Sequence, residues 1–246
     1  MNADHSAQLR LLDLQAADTA LAQLAHRRKT LPELAAIAER DARLQSLHDE
    51  LVDAETRLSD VVAEQRRLES DVDAVRSRAS RDEQRLQSGG LPAKELESLQ
   101  HELTTLARRQ ATLEDELLEV MERHEDADGA VSLLTKQREA LESERADFLV
   151  SRDLIFGEID AATRERTAQR ALTEAQIPAD LLNVYERARE HSGGVGAAVL
   201  RQRRCEGCHI ELSGSELASV RSAAPDEVVR CDNCRRILVR TDESGL

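Results

Sequence analysis

Leu44, Leu47, Leu51, Ala54, Leu58, Val61, Gln65, Leu68, Val72, Val75, Ala79, Asp82 and Leu86 are spaced alternately by three and four residues. Eleven of these thirteen are apolar, where the 40% hydrophobic content of the chain predicts about five. A second set runs Leu96, Leu99, Leu103, Leu106, Gln110, Leu113, Leu117, Val120, His124, Ala127, Val131 and Leu134, and ten of its twelve positions are apolar. A seam that repeats every seven residues over this length lies on one stripe of an α-helix and packs against another such stripe, which is the coiled-coil arrangement. The rest of the composition agrees. Charged residues make up 33% of the 246, and the aromatics are Phe148, Phe156 and Tyr185 alone. That mix suits long helices with narrow contacts better than a thick globular core.

Two seams in one chain can pair with each other. In an antiparallel hairpin, paired residue numbers have a constant sum, and the heptads fix it modulo seven. A sum of 178 centres the turn on residue 89, within the stretch QSGGLPAKE, where Gly89 and Gly90 suit a turn and Pro92 is tolerated early in the next helix. The sums 171 and 185 put the midpoint inside a helix. The expected pairs are therefore Leu58 with Val120, Leu51 with Ala127, Leu68 with Gln110, and His124 with Ala54. Roughly 55 residues of helix give an arm of about 80 Å. Gln65, Gln110 and His124 lie in the seam, where polar residues fix register at some cost in stability. Gly90, Leu91, Pro92, Lys94 and Glu95 form the tip and are candidate contact residues.

The arm is interrupted at KTLPELA. An earlier seam of Leu14, Ala17, Leu21 and Leu24 is two residues out of phase with Leu44, and on the far helix the seam positions become Arg138, Arg145 and Arg152. A break is expected near residues 30–34, with Thr30 as candidate N-cap of the helix that continues. Below it, residues 5–28 and 153–172 are expected to pack as a wider bundle, joined by a short helix after Pro178.

The four cysteines form two pairs, Cys205 with Cys208 and Cys231 with Cys234, separated by 22 residues. The N-terminus carries no signal-peptide pattern, and no stretch has the ~18 apolar residues of a membrane span, so a cytoplasmic chain with reduced thiols is expected. Paired C-x2-C motifs then read as ligands of one zinc ion. Gly207 and Asn233 inside the knuckles are expected to take left-handed backbone angles. Short apolar runs flank the knuckles (GAAVLRQ, EVVR and RILVR), the pattern of a β zinc ribbon. Four sulfur ligands leave no coordination position for water or substrate, so the zinc is expected to be structural. His209 is then a packing or surface residue. Loss of the zinc is expected to unfold the ribbon and to leave the helices nearly unchanged.

Catalytic patterns are absent. HSGGVG at 191–196 lacks the Lys-Ser/Thr of a phosphate loop and reads as a flexible joint, and HELTTL at 101–106 has Thr105 where a metalloprotease helix needs His. No enzyme and no small-molecule substrate are expected. Charge divides the chain: residues 1–196 hold 26 basic against 40 acidic groups, and residues 197–246 hold eight of each. The ribbon's basic groups are all arginine. Arg201, Arg203 and Arg204 flank the first knuckle, and Arg230, Arg235, Arg236 and Arg240 the second. Guanidinium groups suit bidentate phosphate contacts, but the ribbon has no aromatic residue to stack a base and the acidic remainder repels a polyanion.

With LPAKELESLQHEL (91–103), LPEL (31–34), CEGCHIEL (205–212) and CDNCRRILV (231–239), the chain resembles the bacterial family of coiled-coil proteins that end in a C4-type zinc ribbon. The resemblance implies a mainly α fold: a long antiparallel coiled-coil hairpin with a small C-terminal β zinc ribbon docked at its base. It also implies the family's nucleic-acid-binding label, and protein partners among some relatives. The domains read as residues 1–192, the hairpin with its break near 30–34, tip near 87–92 and basal helices to about 191, and residues 193–246, the ribbon. Two functions are carried forward. One is a non-enzymatic adaptor presenting ribbon and tip to protein partners. The alternative is an RNA- or DNA-binding protein, linked to transcription, that uses the ribbon arginines.

Overall fold

The computed structural model describes all of residues 1–246. Five helices carry most of the chain: α1 (His5–Lys29), α2 (Pro32–Gln87), α3 (Ala93–Glu174), α4 (Ala179–His191) and α5 (Gly214–Ser222). Four short strands, β1 (Ala197–Arg201), β2 (Arg204–Cys205), β3 (Val229–Arg230) and β4 (Ile237–Val239), form one sheet in the order β2-β1-β4-β3. No helix is long and apolar enough to cross a membrane. Two compact units emerge, residues 35–149 and residues 1–34 with 150–246, and both α2 and α3 contribute to each. This division differs from a cut at residue 192, because α1, α4 and the sheet share buried side chains.

The unit of residues 35–149 is a helical hairpin. Its core is the seam: Leu68, Val72, Leu113 and Val120 form one buried cluster with Val61, Val75 and Leu117 against it. Arginines bridge the flanks, as in Arg76 to Glu114, Arg123 to Glu64 and Arg145 to Asp41. Arg40 lies over the ring of Phe148, 4.7 Å from its centre, and reaches Glu144.

The hairpin register is not 178. His124 Nδ1 lies 2.8 Å from Gln65 Oε1, not beside Ala54. The cross-helix partners Arg40–Glu144, Asp41–Arg145, Glu64–Arg123, Gln65–His124, Arg76–Glu114 and Arg78–Glu102 have number sums between 180 and 190, centred on 186. The heptad-compatible value is 185, which sets Val72 against Leu113 and Leu68 against Leu117, all members of the same cluster. The midpoint of the paired helices lies off the glycines because the connection is not symmetric. Helix α2 stops at Gln87 and α3 starts at Ala93, so a midpoint between 92 and 93 falls at a helix start rather than within a helix. Gly89 (φ 71°) and Gly90 (φ 82°) do take the left-handed angles that a tight turn requires.

The other unit is built from distant pieces of sequence. Side chains of β1 and β4 alternate between two cores, as strand geometry requires. Ala197, Ile237 and Val239 face one way and join Ala7, Leu11 and Leu14 of α1 with Leu181, Val184 and Tyr185 of α4. Ala198, Leu200 and Leu238 face the other way and join Cys205, Leu212, Val220 and Cys231. Strands β1 and β4 are parallel, with Ala197 opposite Ile237 and Val199 opposite Val239. The N-terminal residues add to this unit: Ala3 N–H donates to Asp226 O at 2.7 Å and Val228 N–H to Met1 O at 3.0 Å.

Three local expectations change. Thr30 closes α1 instead of opening α2, its N–H and hydroxyl both donating to His26 O, while Pro32 starts α2. The glycine-rich joint is pinned, not flexible. Gln15 Oε1 accepts from Gly196 N–H at 2.7 Å, and its Nε2 donates to Gly194 O at 3.1 Å. A Cβ on Gly196 would lie 2.6 Å from Tyr185 O, so only glycine fits there. Lastly, α5 has no counterpart in the strand pattern around the knuckles, although its capping box, Ser213 with Glu216, is visible in the sequence.

Candidate metal centre

The two knuckles start at strands of the one sheet, Cys205 in β2 and Cys231 directly after β3. Cys205 ends β2, and Cys208 follows in a turn closed by His209 N–H to Cys205 O at 2.7 Å. The second knuckle repeats this, with Arg235 N–H to Cys231 O at 2.8 Å. In each, the left-handed residue is the one after the second cysteine, His209 (φ 60°) and Arg235 (φ 62°), not Gly207 or Asn233. Gly207 serves sterically instead: a Cβ there would meet Arg236 Cδ at 2.6 Å and Ala198 Cβ at 3.0 Å.

Cys205, Cys208, Cys231 and Cys234 bring their sulfurs within 4.8 Å of one another. Cys205 Sγ lies 3.8 Å from Cys234 Sγ, and Cys208 Sγ lies 3.8 Å from Cys231 Sγ. A tetrahedron with Zn–S bonds of about 2.3 Å has S···S edges of about 3.8 Å, so the cage fits zinc, while a disulfide needs about 2.05 Å. Cys205 and Cys231 are buried, and Cys208 and Cys234 are partly so. Without metal, burial pushes the Cys205 and Cys231 thiols up. For Cys234 burial is outweighed by hydrogen bonds from Arg236 and from the neighbouring thiols, which bring it down to about 7. Zinc, held by all four as thiolates, supplies the positive charge that makes such a buried anionic cluster stable. The donor set is closed, and the protein therefore carries one structural zinc ion.

Three of the seven flanking arginines, Arg201, Arg236 and Arg240, are engaged by carboxylate or carbonyl groups of their own chain. Arg236 spends its guanidinium on three carbonyls, Val195 (3.1 Å), Gly207 (2.9 Å) and Ser192 (2.7 Å), tying the joint to the first knuckle. It is a structural residue and not an available contact. Arg240 binds the carbonyls of Ala223, Pro225 and Glu227, among others, after α5. Arg201 pairs with Glu243 at 2.8 Å. Arg203 Nε donates to Gly245 O and Arg204 Nε to His209 O, and both residues are exposed. Arg230 and Arg235 are exposed, as are Gly90, Pro92, Lys94 and Glu95 at the tip, where Leu91 is half-buried.

On the α1 and α4 side of the sheet lies a charged network with no motif in the sequence. Asp18 on α1 accepts from Tyr185 Oη at 2.6 Å and from Arg170 Nε at 2.6 Å. Arg170 also engages Glu174 and Glu186, and Arg189 pairs with Glu186 at 2.8 Å. Burial first, and then the Asp18 carboxylate, push the Tyr185 phenol up. Each of these residues looks like ordinary helix surface in the sequence, and only a contact between α1, α3 and α4 reveals them.

Comparison with known proteins agrees with this architecture. Residues 14–193 match the family described as the CT398-like coiled coil hairpin domain, and residues 204–238 match the C4-type zinc ribbon domain. The chain is 39% identical over 242 residues to the uncharacterized protein Rv2229c of Mycobacterium tuberculosis, covering 98% of each. It is 34% identical to the uncharacterized protein ML1638 of Mycobacterium leprae, over 87% of this chain and 91% of that one. A solved structure from Mycobacterium smegmatis matches with a TM-score of 0.87 at 38% identity, covering 98% of this chain and 100% of that one. CT398 from Chlamydia trachomatis shares the fold at a TM-score of 0.69 and 20% identity, over 96% of this chain and 98% of that one. With its seam, its tip and its four-sulfur cage all in place, the chain belongs to the CT398-like coiled coil hairpin family whose members end in a C4-type zinc ribbon.

Proposed function

We infer that the protein is a non-enzymatic adaptor that presents its zinc ribbon and its hairpin tip to protein partners, in a reducing, cytoplasmic setting. The observation that carries this reading over nucleic-acid binding is the engagement of the ribbon arginines by their own chain. Arg236 and Arg240 are occupied by carbonyls, and Arg201 by a carboxylate. The eight acidic groups of residues 197–246 balance the eight basic ones, so little cationic field remains to attract a polyanion. The closed sulfur cage supports a zinc that shapes a surface and does no chemistry.

The test uses two variants of the full chain. Arg203→Ala/Arg204→Ala/Arg235→Ala removes exposed arginines and spares the structural Arg236. Lys94→Ala/Glu95→Ala changes the tip. For an adaptor, nuclease-treated protein keeps its bound proteins, and one or both variants lose them at unchanged zinc content. A nucleic-acid binder instead gives binding that falls steeply with salt, with a slope shallower by about one unit per lost phosphate contact in the arginine variant. That outcome replaces the adaptor reading.

A further inference from the structure

We propose that the open face of α1 is a docking groove for an amphipathic helix of a partner protein, one with a carboxylate near the end that meets Arg27. The proposal rests on the adaptor reading and assigns it a surface other than the ribbon arginines and the tip. Leu12, Ala16, Thr19, Gln23, His26 and Thr30 follow one another at alternating steps of four and three along α1. All six line two adjoining grooves of about 440 Å³ and about 560 Å³, which share Thr19, Gln23 and Val195. The opposite wall is the chain from Gly193 into β1. Alternating three and four steps is the spacing at which a second helix packs along a first. Other faces of α1 pack on α4 and the sheet through Leu11 and Leu14 and carry the Asp18 network.

Charge selects the occupant. In a chain of net charge -14, the groove between residues 19 and 30 is lined by no carboxylate; its charged or titratable members are His26 and Arg27. Arg28 is engaged by Asp160, whereas Arg27 makes no ion pair. At the other end the single charged lining residue is Glu206. A helix lying with its C-terminal, negative end or an acidic side chain at Arg27 and its N-terminal end toward Glu206 matches both. From Leu12 to Thr30 the face spans roughly 27 Å, enough for about five helical turns.

A photoreactive p-benzoylphenylalanine at Gln23 of the full-length, zinc-loaded protein, irradiated in its own cells, reads the groove directly, with the exposed Ala25 on another face as control. The expected result is saturable crosslinking from position 23 alone, mapped to an apolar heptad segment of one partner protein that bears an acidic residue near one end. Arg27→Glu lowers that yield by about threefold, the scale of one exposed ion pair. Thr19→Trp, which fills the groove, lowers it by about tenfold or more. Both keep zinc and helical circular dichroism. Crosslinks to a second copy of the chain, to lipid or to nucleic acid overturn the proposal, as do equal yields at 23 and 25 or indifference to Arg27→Glu. If position 23 captures nothing while the tip or arginine variants still lose partners, the groove falls and the adaptor reading stands.

Discussion

Residues 35–149 and the unit of residues 1–34 with 150–246 share α2 and α3 and obey different rules. The first is a seam, in which each buried side chain meets near neighbours in the heptad pattern and polar residues are absorbed, as when Gln65 bonds His124 at 2.8 Å. The second is a junction, in which α1, α4 and two strands meet around Tyr185 and a buried Asp18, and single positions such as Gly196 admit one residue type. Periodicity specifies a seam. A junction is specified by non-local fit, and its stability is tied to whatever holds its distant pieces together.

The largest effect is expected at the metal. Cys205→Ser should lose the zinc, and the loss should spread: Ala197, Ile237 and Val239 sit in the same core as Leu11, Leu14 and Leu181, so helical circular dichroism should fall as α1 and α4 loosen. The shared core argues against the expectation that the ribbon is an independent appendage with helices indifferent to zinc. Unchanged helicity in the metal-free variant would restore it.

Within the seam, Leu113→Ala removes a side chain that is 1% exposed and should destabilise residues 35–149 by about 2–5 kcal/mol, as read by urea unfolding with a probe in that unit. Zinc content should not change. At the junction, Gly196→Ala forces a Cβ to 2.6 Å from Tyr185 O, a misfit of about 1–3 kcal/mol that should appear as faster proteolysis at residues 191–196. The smallest effect belongs to the polar pair in the seam. Gln65→Leu/His124→Leu together should be neutral or stabilising by about 1 kcal/mol, since both partners leave at once. Register can be checked on the same unit: cysteines at Leu68 and Leu117 should crosslink within one chain, and cysteines at Leu58 and Val120 should not.

The same contrast decides what was legible beforehand. The seams, the break at KTLPELA, the tip glycines and the four zinc ligands each announce themselves locally, by spacing or by residue type. The register was wrong by one heptad because the pattern defines it only modulo seven, and the connection after Gln87 is asymmetric. Arg236 looked like a surface cation because a sequence does not show that three carbonyls converge on it. Asp18, Arg170 and Tyr185 lie far apart in the chain and carry no motif; Gln15, whose side chain holds the joint, looks like any helix glutamine. In the ribbon, Ser213 and Glu216 did spell out the start of α5.

Hydrogen exchange of the full chain with zinc bound and after chelation tests the central claim most directly, because it reads both units in one sample. If zinc closes the junction, chelation should strip protection from residues 5–29, 179–191 and 197–239 together, while amides around Leu68, Val72, Leu113 and Val120 keep theirs. Loss confined to residues 197–239, with α1 and α4 as protected as before, would contradict the shared core and leave the ribbon a separate module.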